Sequence, residues 1–181
     1  MTSPERYRTL RRALWSLRVV PLGVALTMPL AACWVEEVPE AERNERSIVG
    51  ARNAVQAMLD SSAVAWNEGR IEGFMDDYVD SPSTTYIGGT GLVEGWDGIR
   101  ERYAPLFQPG AERDSLRFVD LKLRRLSATL TLATARYILY GEDGRTTASG
   151  PFTLVLRKVG REWRIIHDHS SADPPPPGEE P

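Results

Sequence analysis

The chain has 181 residues, a formal net charge of −3, 26% charged residues and a single cysteine. One cysteine excludes an intrachain disulfide, and two histidines leave little from which to build a metal centre. Residues 1–32 hold five Arg and one Glu, so the remaining 149 residues carry about −7, which argues against nucleic acid as a partner.

Arg6, Arg8, Arg11, Arg12 and Arg18 lead into an apolar stretch of 14 residues, Val19 to Ala32, interrupted by Pro21 and Pro29. Positive charge ahead of an apolar run holds the N-terminus on the cytoplasmic side during export. A permanent spanning helix needs about 20 apolar residues, so the stretch is too short for one. It closes on Leu30-Ala31-Ala32-Cys33, whose small residues let a peptidase approach the backbone. This order resembles a bacterial lipoprotein signal with its lipobox. The resemblance implies removal of 1–32, a diacylglycerol on the Cys33 sulfur, and a location at the cell envelope (the periplasmic side of the outer membrane where the cell has one). The plain alternative is a buried helix with a packed thiol. Arg11-Arg12 also suggests a twin-arginine signal, which the flanking residues fit poorly. With a net acidic body, attachment to the bilayer would rest on the acyl chains.

Residues 33–44 carry Glu36, Glu37, Glu40 and Glu42 with Pro39, the composition of a solvated acidic tether. The folded domain is expected over 45–172. From Ser47 to Trp66, Ile48, Val55, Met58, Leu59, Ser62-Ala63 and Trp66 recur at helical spacing, with Gly69 just past the end. A short helix carries Ile71, Phe74, Met75 and Tyr78 on one side, and Pro82 closes it. Thr84 to Ile87 is β-prone, and Gly88-Gly89 and Gly91 break it. Asp97 can cap a third helix holding Ile99, Tyr103 and Leu106-Phe107.

Strands follow. Leu116, Phe118, Leu121 and Leu123 alternate with a parity flip that a β-bulge produces. Thr129 to Tyr140 is rich in β-formers, Glu142-Asp143-Gly144 is a hairpin signal, and Phe152, Leu154 and Leu156 alternate with Thr153, Val155 and Arg157. After Val159-Gly160-Arg161-Glu162 comes a last strand, Trp163 to Ser171. Residues 173–181, with four consecutive prolines, form an extended tail that cannot pack. Helices followed by long antiparallel strands predict an α+β domain.

Three segments carry a family resemblance. Ala65-Trp66-Asn67-Glu68-Gly69-Arg70, Gly91-Leu92-Val93-Glu94-Gly95-Trp96-Asp97-Gly98-Ile99 and Trp163-Arg164-Ile165-Ile166-His167-Asp168-His169-Ser170-Ser171 resemble NTF2-like proteins of the SnoaL-like and DUF4440 type. The last two are also similar to the association domain of calcium/calmodulin-dependent protein kinases. The resemblance covers about 47–172. It implies a cone of curved antiparallel sheet wrapped by about three N-terminal helices, an interior pocket, and homodimers or larger rings. It does not imply one chemistry, so function must come from the site.

Strand alternation places Trp163, Ile165, His167 and His169 on one face of the last strand and Arg164, Ile166, Asp168 and Ser170 on the other. By the resemblance, Asp168 and Ser170 point inward, while Trp163, His167 and His169 lie on the outer face as interface or structural residues. A His-x-His pair can ligate zinc, but a catalytic zinc wants three protein ligands, so no metal is expected. Asp168 is the candidate general base or acid, since burial would raise its pKa. Tyr86 is the candidate hydrogen-bond donor to a bound oxygen. Arg136 can pair with an anion or with Asp168 itself. Trp66, Phe74, Tyr78, Trp96, Tyr103 and Phe107 can wall an apolar pocket, although aromatics at helical spacing are commonly plain core. Asp76-Asp77 reads as a solvated turn, with the pocket mouth as the alternative.

Where the kinase association domain lines its pocket with arginines, this chain has Ser170 and Leu154, and only Arg136 matches, so a more neutral or apolar ligand is expected. No nucleophile elbow, phosphate loop or dinucleotide fingerprint occurs, and Gly88-Gly89-Thr90-Gly91 lacks the spacing of one, so no cofactor is called for. Three functions stay open: a lipid-anchored binder of a small, mostly apolar molecule; an isomerase, lyase or hydrolase using Asp168 and Tyr86; and a non-catalytic oligomerisation module.

Overall fold

The computed structural model describes residues 39–174; Cys33, the segment before it and most of the proline-rich tail lie outside the described residues. Among the described residues, no helix is long and apolar enough to cross a membrane. In order come α1 (Glu40–Asn67), α2 (Ile71–Met75), β1 (Thr85–Gly88), β2 (Gly91–Glu94), α3 (Trp96–Tyr103), a 3-10 turn (Ala104–Phe107), β3 (Ser115–Arg125), β4 (Leu130–Tyr140), β5 (Thr146–Val159) and β6 (Glu162–Ser170).

The α+β class holds, but the sheet is mixed. Its order is β2-β1-β6-β5-β4-β3, and β1 runs parallel to β6 while the other pairs are antiparallel. The N-terminal hairpin thus completes the sheet beside the last strand, and Tyr86 comes level with Asp168. The hairpin is itself a finding, because the glycines read as breakers form the turn between β1 and β2.

Helix α1 begins at Glu40 after Pro39, so 40–44 is helical rather than tether. Glu40 and Glu42 sit in its first turn, where the helix dipole favours negative charge. Val55, Leu59, Ser62, Ala65 and Trp66 form its buried stripe. Its C-terminal end is tied to β3. Asn67 accepts from the Leu116 N–H at 2.7 Å and donates back to the Leu116 carbonyl at 3.1 Å, and the Trp66 indole donates to the Asp114 carbonyl at 2.9 Å. Gly69 takes φ +74° just past the end, as expected. The third helix is capped by Gly95, and Asp97 lies in its first turn instead.

Two bulges set which side chains face the helices. The first lies between Val119 and Lys122, where Asp120 adopts φ +59°, and it keeps Leu116, Phe118, Leu121 and Leu123 on the inner face. The second was not foreseen. Leu156 pairs with Ile165 and Val155 pairs with His167, so Ile166 is an extra residue in β6. Simple alternation therefore fails across it. Trp163 and Ile165 share the inner face with Asp168 and Ser170. Trp163 packs with the core, bordering a crevice with Ile48, Ala51 and Leu123, rather than joining the histidines outside.

Beyond β6 the chain stays attached. The Asp173 N–H donates to the Ser149 carbonyl at 2.8 Å, and its carboxylate takes Ser149 Oγ at 2.5 Å and the Arg136 guanidinium. The first residue of the supposed tail is thus part of the domain.

Candidate functional site

Between the helices and the inner face of the sheet lies a cavity of about 550 Å³, within the range of small-molecule sites. Helices supply Leu59, Trp66, Phe74 and Tyr103; strands supply Tyr86, Phe118, Tyr137, Phe152, Leu154 and Ile165. The aromatics pack edge to face: Trp66 on Phe74 at 5.3 Å between centroids, Phe74 on Tyr103 at 4.9 Å, Tyr86 on Tyr103 at 5.7 Å. Such offsets bring positive ring edges onto negative ring faces and stiffen the wall. The exposed lining residues, Gly89, Arg102, His169, Ser171 and Ala172, mark the mouth.

Asp168 is the buried carboxyl of this wall, 6% exposed. The Tyr78 hydroxyl donates to Oδ2 at 2.7 Å, and Ser170 Oγ donates to Oδ1 at 3.1 Å. Burial pushes its pKa up to about 6, against the opposing pull of the Tyr78 and Ser170 hydrogen bonds and the His169 charge. Burial first, and the neighbouring Asp168 charge second, hold the Tyr78 and Tyr103 hydroxyls well above the usual phenol range. They are therefore neutral donors beside a carboxyl that changes charge near pH 6. Such a group can take or give a proton, and the phenols can hydrogen-bond an oxygen that gains charge.

The Tyr86 hydroxyl lies over Gly88, where a Cβ would stand 2.3 Å from it. A residue with no side chain is needed there, which gives the first glycine of the Gly88-Gly89 run a role at the site.

Trp66, Tyr78, Tyr86, Tyr103, Asp168 and Ser170 all line the cavity, as does Phe74. Three expected residues do not: Phe107, which packs on Trp66 and Phe74 as plain core, Trp96 and Arg136. Trp96 packs outside it, its indole donating to the Met75 carbonyl at 3.3 Å. Arg136 has the opposite parity to Ala133, Ala135 and Tyr137 on β4, so it leaves the sheet on the outer side and pairs with Asp173 rather than Asp168. His167 bonds Thr85 Oγ1 through Nδ1 at 2.7 Å across the parallel pair, a structural role. His169 is exposed at the mouth. Among the described residues no group of three or more His, Cys, Asp or Glu gathers to hold a metal ion.

Phe118, Tyr137, Leu139 and Phe152 were missed as lining residues. For Tyr137 and Leu139 a signal existed in the alternation Thr131, Ala133, Ala135, Tyr137, Leu139 along β4. Asp77 is not a solvated turn residue. Burial raises its pKa to about 7, opposed by a Ser62 hydrogen bond and the Arg164 charge, and its Oδ2 is buried without a partner.

An open mixed sheet closed by helices over an aromatic pocket with one buried carboxyl defines an NTF2-like pocket protein. Within that class, the chain belongs to the SnoaL-like domain family, whose profile matches residues 55–175. No curated protein matches the chain. Among solved structures, it is similar to an NTF2-like protein of unknown function from Shewanella oneidensis, at 26% identity and TM-score 0.58 over 66% of this chain and 97% of that one. An NTF2-like protein of unknown function from Pseudomonas putida shares 16% identity at TM-score 0.60, over 73% and 93%. A Xanthomonas campestris protein assigned as a calcium/calmodulin-dependent protein kinase II association domain shares 20% at TM-score 0.52, over 66% and 86%.

Proposed function

We propose that this protein is a lipid-anchored binder of a small, mostly apolar molecule at the bacterial cell envelope. The observation that carries the binding reading is the cavity, about 550 Å³ with an aromatic wall and a single buried carboxyl. An apolar body gains from leaving water there, and a hydroxyl or carbonyl on it can meet Asp168 or the phenols beside it. The anchor reading is supported by the order basic, apolar, Leu30-Ala31-Ala32-Cys33. Homodimers or larger assemblies are part of the proposal, supported by the likeness to an association domain. A vestigial pocket in a pure assembly module is disfavoured by the open cavity.

The test is native mass spectrometry of the protein purified from its own membrane, reading acylation, stoichiometry and retained ligand together. An unmodified Cys33 ends the anchor reading. Binding is tested by titrating the recovered ligand into Asp168→Asn, where unchanged affinity removes Asp168 as its anchor.

A second reading is favoured by the carboxyl pKa near 6 beside neutral phenols: an enzyme of the isomerase, lyase or hydrolase kind in which Asp168 moves a proton and Tyr86 and Tyr103 hold an oxygen. It requires turnover that follows a carboxyl titration and disappears in Asp168→Asn.

A further inference from the structure

The end of the domain where α1 begins is both basic and apolar. The β3–β4 and β5–β6 turns lie side by side there, joined by the Lys158 N–H donating to the Thr129 carbonyl at 2.8 Å. The start of α1 meets the first turn, since the Arg125 guanidinium donates to Asn44 Oδ1 at 2.9 Å and Ser47 Oγ at 3.2 Å. These turns carry Arg124, Arg125, Lys158 and Arg161, and none of the four forms an ion pair among the described residues. Between the charges stand Leu126, 48% exposed, and Val159, 43% exposed. Two of the five exposed large apolar residues of the described chain thus stand on these turns. Along the first turns of α1, Glu40, Glu42 and Glu45 are offset by Arg43, Arg46 and Arg52, so the excess positive charge belongs to the strand turns.

The sequence fixes where this end can go once Cys33 is acylated. Glu40 is seven residues after Cys33, and seven extended residues reach about 25 Å at most. Averaged over the body, the charge is acidic; locally it is not. The cavity mouth, at Gly89, His169 and Ala172, lies at the other end of β6.

We infer that the β3–β4 and β5–β6 turns dock on an anionic lipid bilayer, with Lys158, Arg161 and Arg124 at the headgroups and Leu126 and Val159 in the interface, so that the cavity opens away from the membrane. Basic side chains near an anionic leaflet each strengthen the attraction about fivefold, and only within a Debye length. Apolar tips add a contribution that salt does not screen. This inference rests on the lipid anchor proposed above.

The test uses the acylated protein, with Ala128→Cys in the first turn or Glu142→Cys at the opposite end carrying a fluorophore; both positions are exposed. Vesicles are phosphatidylcholine alone or with about 30% phosphatidylglycerol, doped with a headgroup quencher. The label at 128 is expected to be quenched about twofold or more in the anionic vesicles and to recover at ~0.5 M salt, while the label at 142 stays bright. Lys158→Glu with Arg161→Glu abolishes the difference; Arg125 is left alone because it ties α1 to the turn. Equal quenching at both labels, equal quenching in both vesicles, or no effect of charge reversal assigns these turns to a second copy or another partner and overturns the inference. Mass spectrometry of Cys33 reads the anchor separately, and an unmodified Cys33 overturns both.

Discussion

Tyr78 donates to Asp168 across 2.7 Å, although 90 residues separate them in the chain. The contact exists because Tyr78 bridges to Ile165 in parallel fashion just after α2, which brings its ring beside the inner face of β6. A hydrogen bond to the charged form of an acid lowers its pKa, so Tyr78 moderates what burial does to Asp168. Tyr78→Phe should raise the Asp168 pKa further above about 6. Carbon-detected NMR titration of the carboxyl would read it. The cost in stability, about 1–3 kcal/mol for an acceptor left unpaired, should be larger at pH 8 than at pH 5, because the lost bond serves the ionised form. An unmoved or lowered pKa would show that Tyr78 is plain wall.

Asp77 and Asp168 together set the pH dependence of folding. Both folded pKa values, about 7 and about 6, lie above the ordinary 3.8. The native state therefore holds protons that the unfolded chain has released. Their contribution is complete below the unfolded pKa and is lost as pH rises through 6 and then 7. Glu72, held low by its bond to Arg100, and Asp173, held low by Ser149 and then Arg136, act in the opposite sense at more acid pH. Asp77→Asn should raise stability at pH 8 by about 1–3 kcal/mol and change little at pH 5. Urea unfolding at the two pH values checks this; equal effects at both would refute the titration account.

Most of the fold was legible because the relevant signals are local. The helical stripe of α1, the parity flip in β3 and the Glu142-Asp143-Gly144 turn each announce themselves within a few residues. What was not legible came from register and pairing partners. The extra residue Ile166 is invisible in an alternating run of β-formers, yet it moves Trp163 to the inner face. Arg136 looked like a pocket cation because its residue type fits that role. The parity of its own strand, with Ala133, Ala135 and Tyr137 inward, points it outward. The seven pocket residues that were foreseen sit on the three segments that carry the family resemblance, or close to them. The strand aromatics Phe118 and Phe152 lie outside those segments and needed the tertiary fold to be placed in the wall.

Gly88→Ala tests the packing at Tyr86. The added methyl would stand 2.3 Å from the phenol oxygen and 2.7 Å from the nearest ring carbon. The ring cannot simply swing away, because Tyr103 packs against it at 5.7 Å. Overpacking of this kind costs about 1–3 kcal/mol. The displaced phenol should also weaken ligand binding more than the smaller Tyr86→Phe change, which leaves the ring in place. Calorimetric titration of both variants separates the two contributions; a neutral Gly88→Ala would mean the ring has room elsewhere.

Gly150→Ala tests whether 171–174 belongs to the domain. A Cβ at Gly150 would fall 1.8 Å from the Ser171 carbonyl oxygen and 2.9 Å from its carbon. Those are backbone atoms of the segment that Asp173 pins through Ser149 and Arg136. The segment must therefore lift off β5, and it carries Ser171 and Ala172 of the cavity mouth with it. Stability should fall by about 2 kcal/mol, within the usual range for a single strained site. Asp173→Ala loses the same side-chain bonds without the clash, and because its ion pair is part-exposed it should cost less. The two changes act on one contact, so the double variant should be less destabilised than the sum of the singles. Hydrogen exchange at the Ser171 and Asp173 amides, which donate to the Pro151 and Ser149 carbonyls, should speed up in both variants. Full additivity with protected amides in Gly150→Ala would show that the clash is relieved by β5 bending while the segment stays docked.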